Sequence, residues 1–226
     1  MTATLILWSH AFAALLFGGL TLWTVRGSAI GLPRRPLAAA LALTALWALA
    51  VAGIGAGDMV TRIFEMLRTL GWLGFMVTLH RRDANVQPPL ALGSVYGVVA
   101  LVCAGTLALQ VTAAAANSEA AESIESAALL LRMLVAVAAL VLMQALHSAL
   151  KPSAGGGLRW IVTALAGLWV ADFALFCTEY LSAQPHPQSI AARGVAMIAV
   201  ARRIGTSFAE YRRHSNGSSS PGASSS

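Results

Sequence analysis

Two carboxylates, Asp172 and Glu179, interrupt the apolar stretch LWVADFALFCTEYL at residues 168 to 181. On a helix they lie on one face, about 10.5 Å apart along the axis at roughly 1.5 Å per residue. An ionised side chain at the centre of a bilayer costs about 2.5–3.5 kcal/mol on insertion scales, so it needs a partner, a watery cavity or the interface. The pair therefore indicates either buried ion pairs or a binding site.

Charged residues also interrupt other apolar stretches, namely Arg62, Glu65, Arg68, Arg132 and Arg193. Glu65 lies three residues from both Arg62 and Arg68, a spacing that allows pairing along one helix. Arg132 is a candidate partner for Asp172. Two interpretations stay open for these charges. They form a packing network, or they line an outward-facing cavity in which four arginines exceed three acids and bind an anionic or polar ligand.

Other chemical signatures are not found in the sequence. It has no nucleophilic serine elbow, no HExxH and no phosphate-binding glycine loop. The histidines have no metal or haem spacing, and the sole lysine, Lys151, falls in a predicted loop, which argues against a retinal Schiff base. We expect no catalytic residue, metal or cofactor. Gly53 and Gly57, at GxxxG spacing, predict close helix packing.

The composition is that of an integral membrane protein. Of 226 residues, 58% are hydrophobic and 11% charged, and the mean hydropathy is +0.73. The formal net charge is +6, but the basic residues lie at the ends of apolar runs. They do not form the aromatic-interleaved patch of a nucleic-acid-binding surface, so the lipid bilayer is the expected partner and nucleic acid is not.

The apolar runs predict an all-α, polytopic membrane helix bundle with seven transmembrane helices. The spans are about 4–25, 36–57, 60–80, 90–112, 127–149, 158–181 and 189–203. The seventh is short and contains Arg193, so six spans plus an interfacial helix is the alternative. We expect a transmembrane domain over residues 1–204 and a cytoplasmic, disordered Ser/Gly-rich tail over residues 205–226.

The basic residues outside the spans predict the orientation. Eleven of them fall in alternate connections or after the seventh span: Arg26, Arg34, Arg35, Arg81, Arg82, Lys151, Arg159, Arg202, Arg203, Arg212 and Arg213. The opposite connections contain Asp58 and the acidic stretch NSEAAESIES at residues 117–126. Because basic loops stay in the cytoplasm, we expect the N-terminus outside and the C-terminus inside.

Three stretches together resemble a known membrane region. FEMLRTLGWLGFM (64–76), DFALFCTEYL (172–181) and AARGVAMIAVARR (191–203) are similar to the N-terminal membrane region of sensor histidine kinases associated with the PEP-CTERM/exosortase system of Gram-negative bacteria. The positions that match the family's recurrent polar residues are Glu65, Arg68, Asp172, Glu179 and Arg193. The resemblance implies an input module in the bacterial inner membrane.

The resemblance carries no kinase chemistry, since these 226 residues contain no phosphoacceptor or ATP-binding domain. We therefore expect a non-enzymatic sensory module that acts through a cytoplasmic kinase or another membrane partner. The alternatives are a small transporter or permeation protein, and a structural assembly subunit with no ligand.

Overall fold

A computed structural model describes residues 2–26, 33–83, 90–149, 156–182 and 187–217. These residues form α-helices and short connections, with no β-strand among them. The helices are α1 (Thr2–Arg26), α2 (Arg34–Ile54), α3 (Met59–Asp83), α4 (Leu90–Ala115), α5 (Ser118–Ala149), α6 (Gly156–Ser182) and α7 (Pro187–Gly217). The all-α prediction is confirmed for the described chain. Six of the seven predicted spans lie within one helix each, and the second, 36–57, runs three residues past the end of α2 at Ile54.

Five helices, α1, α2, α4, α5 and α6, are long and apolar enough to cross a membrane. Many of their large apolar side chains are exposed, as for Leu15 and Leu101 (72% each) and Leu181 (83%). Such outward-facing apolar surface fits a lipid environment. The helices α3 and α7 contain 25 and 31 residues, long enough to span, but their charged residues lower their hydropathy.

Two helices extend beyond the predicted spans. The helix α7 continues to Gly217, past the boundary expected at residue 204, and the tail residues 218–226 lie outside the described chain. The helix α5 begins at Ser118, within the acidic stretch that the sequence places in a loop. Asn117 caps it, since its side-chain oxygen accepts a hydrogen bond of 3.0 Å from the backbone N–H of Ala120.

The helices form a closed ring in chain order, with each helix packed on the next one and α7 packed back on α1. The helices α3 and α5, on either side of α4, also touch each other directly. Core side chains pack between the ring helices, among them Phe17 on α1, Trp72 on α3 and Met197 on α7. The ring brings side chains from sequence-distant helices to one interior.

Close contact between helices occurs at two glycines that the GxxxG pattern does not include. A Cβ on Gly71 of α3 would lie 3.3 Å from the Cα of Ala40 in α2, and a Cβ on Gly194 of α7 would lie 2.4 Å from Oγ of Ser9 in α1. Gly53 and Gly57 have no neighbouring atom within 4 Å of such a Cβ. The close packing predicted at that pair is therefore wrong, and Gly57 lies beyond the end of α2.

Candidate functional site

Five charged side chains form a continuous network in the ring interior. Arg193 donates from Nε to Oδ1 of Asp172 at 2.6 Å and from Nη2 to Oε1 of Glu65 at 2.5 Å. Arg68 donates to the second oxygen of Asp172, and Arg132 donates to the second oxygen of Glu65. Each of the four carboxylate oxygens thus accepts a guanidinium N–H, and the bonds join α3, α5, α6 and α7.

The network is buried and carries a surplus positive charge, because three arginines face two carboxylates. The Asp172 side chain is 1% exposed and that of Arg68 2%, whereas Arg132, at 14%, is the most exposed member. Charge-assisted bonds of this kind are short and strong. Desolvation of the ions is also costly, so the intact pairs add little stability relative to apolar side chains of similar size. Removal of one partner should be strongly destabilising, because it leaves a buried charge without a counter-charge.

Two aromatic rings contact the arginines. The guanidinium carbons of Arg68 and Arg193 each lie 4.5 Å from the ring centre of Trp47 on α2, and that of Arg132 lies 4.4 Å from Phe176 on α6. A cation over a desolvated ring gains on the order of 2 kcal/mol. The rings therefore help to hold the surplus positive charge in a poorly hydrated interior, and Trp47 brings α2 into the site.

Arg62 is paired outside this network. It contacts Glu125 at the start of α5 at 3.3 Å, and the two side chains are 25% and 55% exposed. Within the described residues Glu179 forms no ion pair, and it is half-buried. Asp58, Glu119, Glu122 and Glu125 also lie at this end of the bundle, so acids outnumber arginines there. The surplus positive charge is therefore local to the five residues of the buried network.

The observed pairings differ from those expected along the sequence. Glu65 pairs with Arg132 and Arg193 on other helices, because the packed ring faces it toward α5 and α7. The pairing with Arg62 or Arg68 that the spacing along α3 allows is not among the ion pairs of the described residues. Arg132, the candidate partner of Asp172, contacts Glu65 instead, and Arg68 and Arg193 occupy both oxygens of Asp172.

A cavity of about 250 Å³ lies over the network. Glu65, Arg132 and Arg193 belong to both the network and the cavity wall. Other lining residues come from the same end of the ring: His10, Trp47, Val51, Ala56, Gly57, Thr61, Arg62, Leu175, Glu179, Ser189 and Ile190. Ala56 and Gly57, in the turn between α2 and α3, are exposed, so the cavity opens at that end of the bundle.

A second cavity of about 210 Å³ lies beside the first, between α5 and the end of α6. Arg62, Arg132 and Glu179 line both cavities. The Arg62–Glu125 pair borders the second one, together with Gln110 and Tyr180. Of the network residues, Arg132 is thus reached from both spaces.

His10 of α1 completes the wall of the first cavity. Its ring is fully buried, makes an edge contact with Trp47 at 5.6 Å between centres, and places Nδ1 2.9 Å from the carbonyl oxygen of Ile6. A carbonyl only accepts, so Nδ1 carries the proton and Nε2 of the neutral ring is an acceptor. Among the described residues Nε2 has no hydrogen-bond partner.

A much smaller space, about 10 Å³, lies on the other side of the network beside Trp169. Arg68 and Arg132 line it, and Nε and Nη1 of Arg68 and Nε of Arg132 have no acceptor within the described chain. The space is about large enough for one water molecule. The network thus has more donors than its two carboxylates can satisfy.

The structure brings together five of the seven residues singled out in the sequence, and places Arg62 and Glu179 at the cavity rim. Sequence reasoning missed Trp47, Phe176, Glu125 and the cavity role of His10. Only Glu125 had a usable signal, because Asn117 and the acidic residues after it mark a helix start. No group of His, Cys, Asp or Glu side chains in the described ranges is placed to hold a metal ion.

Comparisons of the chain with models of known protein families, with curated proteins and with solved structures find no match. The network and the cavity are therefore the features from which a function is inferred.

Proposed function

We propose that this chain is a non-enzymatic sensory module of a bacterial inner membrane that binds a small anionic or polar ligand in its outer cavity. One observation carries the proposal: three residues of the cavity wall, Glu65, Arg132 and Arg193, are also members of the buried network. A ligand that bonds to Arg132 or Arg193 changes contacts shared by α3, α5, α6 and α7. Ligand binding in the cavity would thereby alter the packing contacts of four helices.

The proposal includes seven spans, with the N-terminus outside and the C-terminus inside. Arg193 of α7 is buried against residues of α3 and α6, and α7 packs on α1 and α6, which favours a bundle member over an interfacial helix. Eleven basic residues fall on one predicted side of the membrane, which becomes the cytoplasmic side. The cavity, at the opposite end, then faces outward.

The expected output is a cytoplasmic histidine kinase or another membrane partner, as the resemblance of EMLR, DFALFCTEYL and AARG suggests. Arg81 and Arg202 lie at the cytoplasmic end of this topology and are exposed. They offer a basic surface to such a partner or to anionic lipid headgroups.

The binding of a ligand is tested by its effect on thermal stability in nanodiscs. The panel contains phosphate, sulfate, short carboxylates and short amino acids, titrated at constant ionic strength and pH. At least one compound is expected to raise Tm in a saturable way, because a ligand that binds only the folded state stabilises it by mass action.

Arg132→Gln should abolish the rise, whereas Arg159→Gln, at an exposed arginine outside the cavity, should retain it. If no compound gives a saturable rise, or if Arg132→Gln responds as the wild type does, the ligand-binding function is wrong.

A structural role without a ligand is the second candidate, and it is favoured by the saturation of all four carboxylate oxygens by arginines. It predicts that substitutions in the network change stability alone. Transport is distinguished by uptake of a compound that binds into proteoliposomes, which the sensory function does not predict.

A further inference from the structure

We infer that the outer cavity takes a zwitterion, a short amino acid whose carboxylate faces the arginines and whose ammonium group faces His10 and Glu179. The inference depends on the proposed function, because it names the class of ligand that the same cavity would bind. It is carried by the unpartnered Nε2 of a fully buried histidine and by the distribution of charge around the cavity.

The inner wall of the cavity favours a single negative charge. Three arginines face two carboxylates in the network, and the least buried arginine, Arg132, lines the cavity. A carboxylate, with one charge, balances this surplus and can accept two parallel N–H bonds from a guanidinium. A phosphate dianion would leave a negative charge uncompensated where the dielectric constant is low.

A hydrogen-bond donor on the ligand would give a partner to His10, which belongs to the cavity wall and whose ring is itself fully buried. Its Nδ1–H is bound to the carbonyl oxygen of Ile6, so the ring presents Nε2 as an acceptor. Since Nε2 is already buried without a partner among the described residues, a ligand that donates to it gains a hydrogen bond that an analogue lacking the donor does not.

Glu179 supplies a negative charge at the rim of the same cavity. It is half-buried and forms no ion pair with any described residue. An ammonium group provides both the donor for Nε2 and a counter-charge for this carboxylate. Trp47 contacts both His10 and Arg193, so the basic and acceptor groups belong to one continuous wall.

The test compares matched compounds that differ only by a terminal ammonium group: acetate with glycine, propionate with β-alanine, and butanoate with 4-aminobutanoate. Their dissociation constants are measured on the full chain in nanodiscs by thermal titration and calorimetry. In at least one pair the amino acid is expected to bind about ten-fold or more tightly than the carboxylate. The three lengths vary the distance between the two charges.

Two variants test which residues produce the preference for the amino acid over the carboxylate. His10→Phe keeps an aromatic ring against Trp47 and removes Nε2, and Glu179→Gln removes the rim charge. Each is expected to reduce the preference to within about three-fold while carboxylate binding is retained, which also reports that the variant is folded. Thr21→Ala, also on α1 but outside the cavity wall, should keep the wild-type preference.

If the amino acid and the carboxylate bind equally in every pair, the inference of a zwitterionic ligand is wrong. The proposed binding of an anion is not contradicted by that result. A preference that both His10→Phe and Glu179→Gln retain also contradicts the inference of a zwitterionic ligand. If nothing in the panel binds, both the zwitterion and the proposed function fail.

Discussion

Asp172 connects two arginines from two different helices, Arg68 of α3 and Arg193 of α7. Its side chain is 1% exposed, so bulk water cannot solvate the two guanidinium groups in its place. The sequence makes this carboxylate conspicuous because it stands in an apolar stretch. Its partners follow only from the packing of the ring.

Asp172→Asn is therefore expected to lower the free energy of unfolding by about 3–5 kcal/mol, since it leaves buried guanidinium charge without a partner. Glu179→Gln on the same helix is the matched control, with an expected change within about 0.5 kcal/mol. Both are measured by denaturant or thermal unfolding in nanodiscs. An unchanged or more stable Asp172→Asn would mean that the charge is kept at a cost to stability, as at functional sites.

The pairing itself is tested with double-mutant cycles. Arg68→Gln combined with Asp172→Asn is expected to give a coupling energy on the order of 1–3 kcal/mol, because the two side chains are in direct contact. Arg132→Gln with Asp172→Asn should couple more weakly, since Arg132 reaches Asp172 only through Glu65 and Arg193. A larger coupling for Arg132 would show that the pairing described here is wrong.

At the scale of the helices, α7 is held to α1 by a contact that only a very small residue permits. A Cβ on Gly194 would lie 2.4 Å from Oγ of Ser9 and 2.8 Å from Nδ1 of His10. The ring of His10 is in turn packed against Trp47. The small residue thus sets the position of the cavity's histidine as well as the distance between two helices.

Gly194→Ala should lower the free energy of unfolding by about 1–3 kcal/mol through overpacking. Gly167→Ala in α6 is the control, since its Cβ meets no atom within 4 Å. There the better helix propensity of alanine makes the change neutral or stabilising by up to about 1 kcal/mol. The two are compared by unfolding under one condition, and equal stability would deny the close contact at Gly194.

The helices themselves were largely predictable from the sequence, because apolar runs of membrane-spanning length end at Pro, Gly and basic residues. The first turns of α5 were not, since hydropathy places Glu125 in a loop although Asn117 starts a helix before it. Trp47 looked like an ordinary apolar side chain. Its contact with two arginines requires α2, α3 and α7 to face the same interior. No local sequence pattern encodes that arrangement.

At the scale of the molecule, two helices carry most of the buried charge. Besides Arg132 and Asp172, the network residues lie on α3 and α7, the two helices that are not apolar enough to count as membrane spans by themselves. Their charges are neutralised only when the ring is complete. Stability of these two helices in a membrane therefore depends on the other five.

The course of α7 decides between seven spans and six plus an interfacial helix. Gln188 and Ala209 are exposed residues near the two ends of the helix. They lie about 30 Å apart at roughly 1.5 Å per residue, the thickness of a bilayer's hydrocarbon core. Each is replaced by cysteine after Cys103 and Cys177 are changed to alanine, and spheroplasts are treated with a membrane-impermeant maleimide.

In this assay Gln188→Cys should be labelled in intact spheroplasts, and Ala209→Cys only after lysis. Labelling of both before lysis would place α7 along the outer surface, and labelling of Ala209→Cys alone would reverse the orientation. The buried bonds of Arg193 to Asp172 on α6 and Glu65 on α3 give the physical reason for the first outcome. A helix lying on the surface could not keep that arginine in the ring interior.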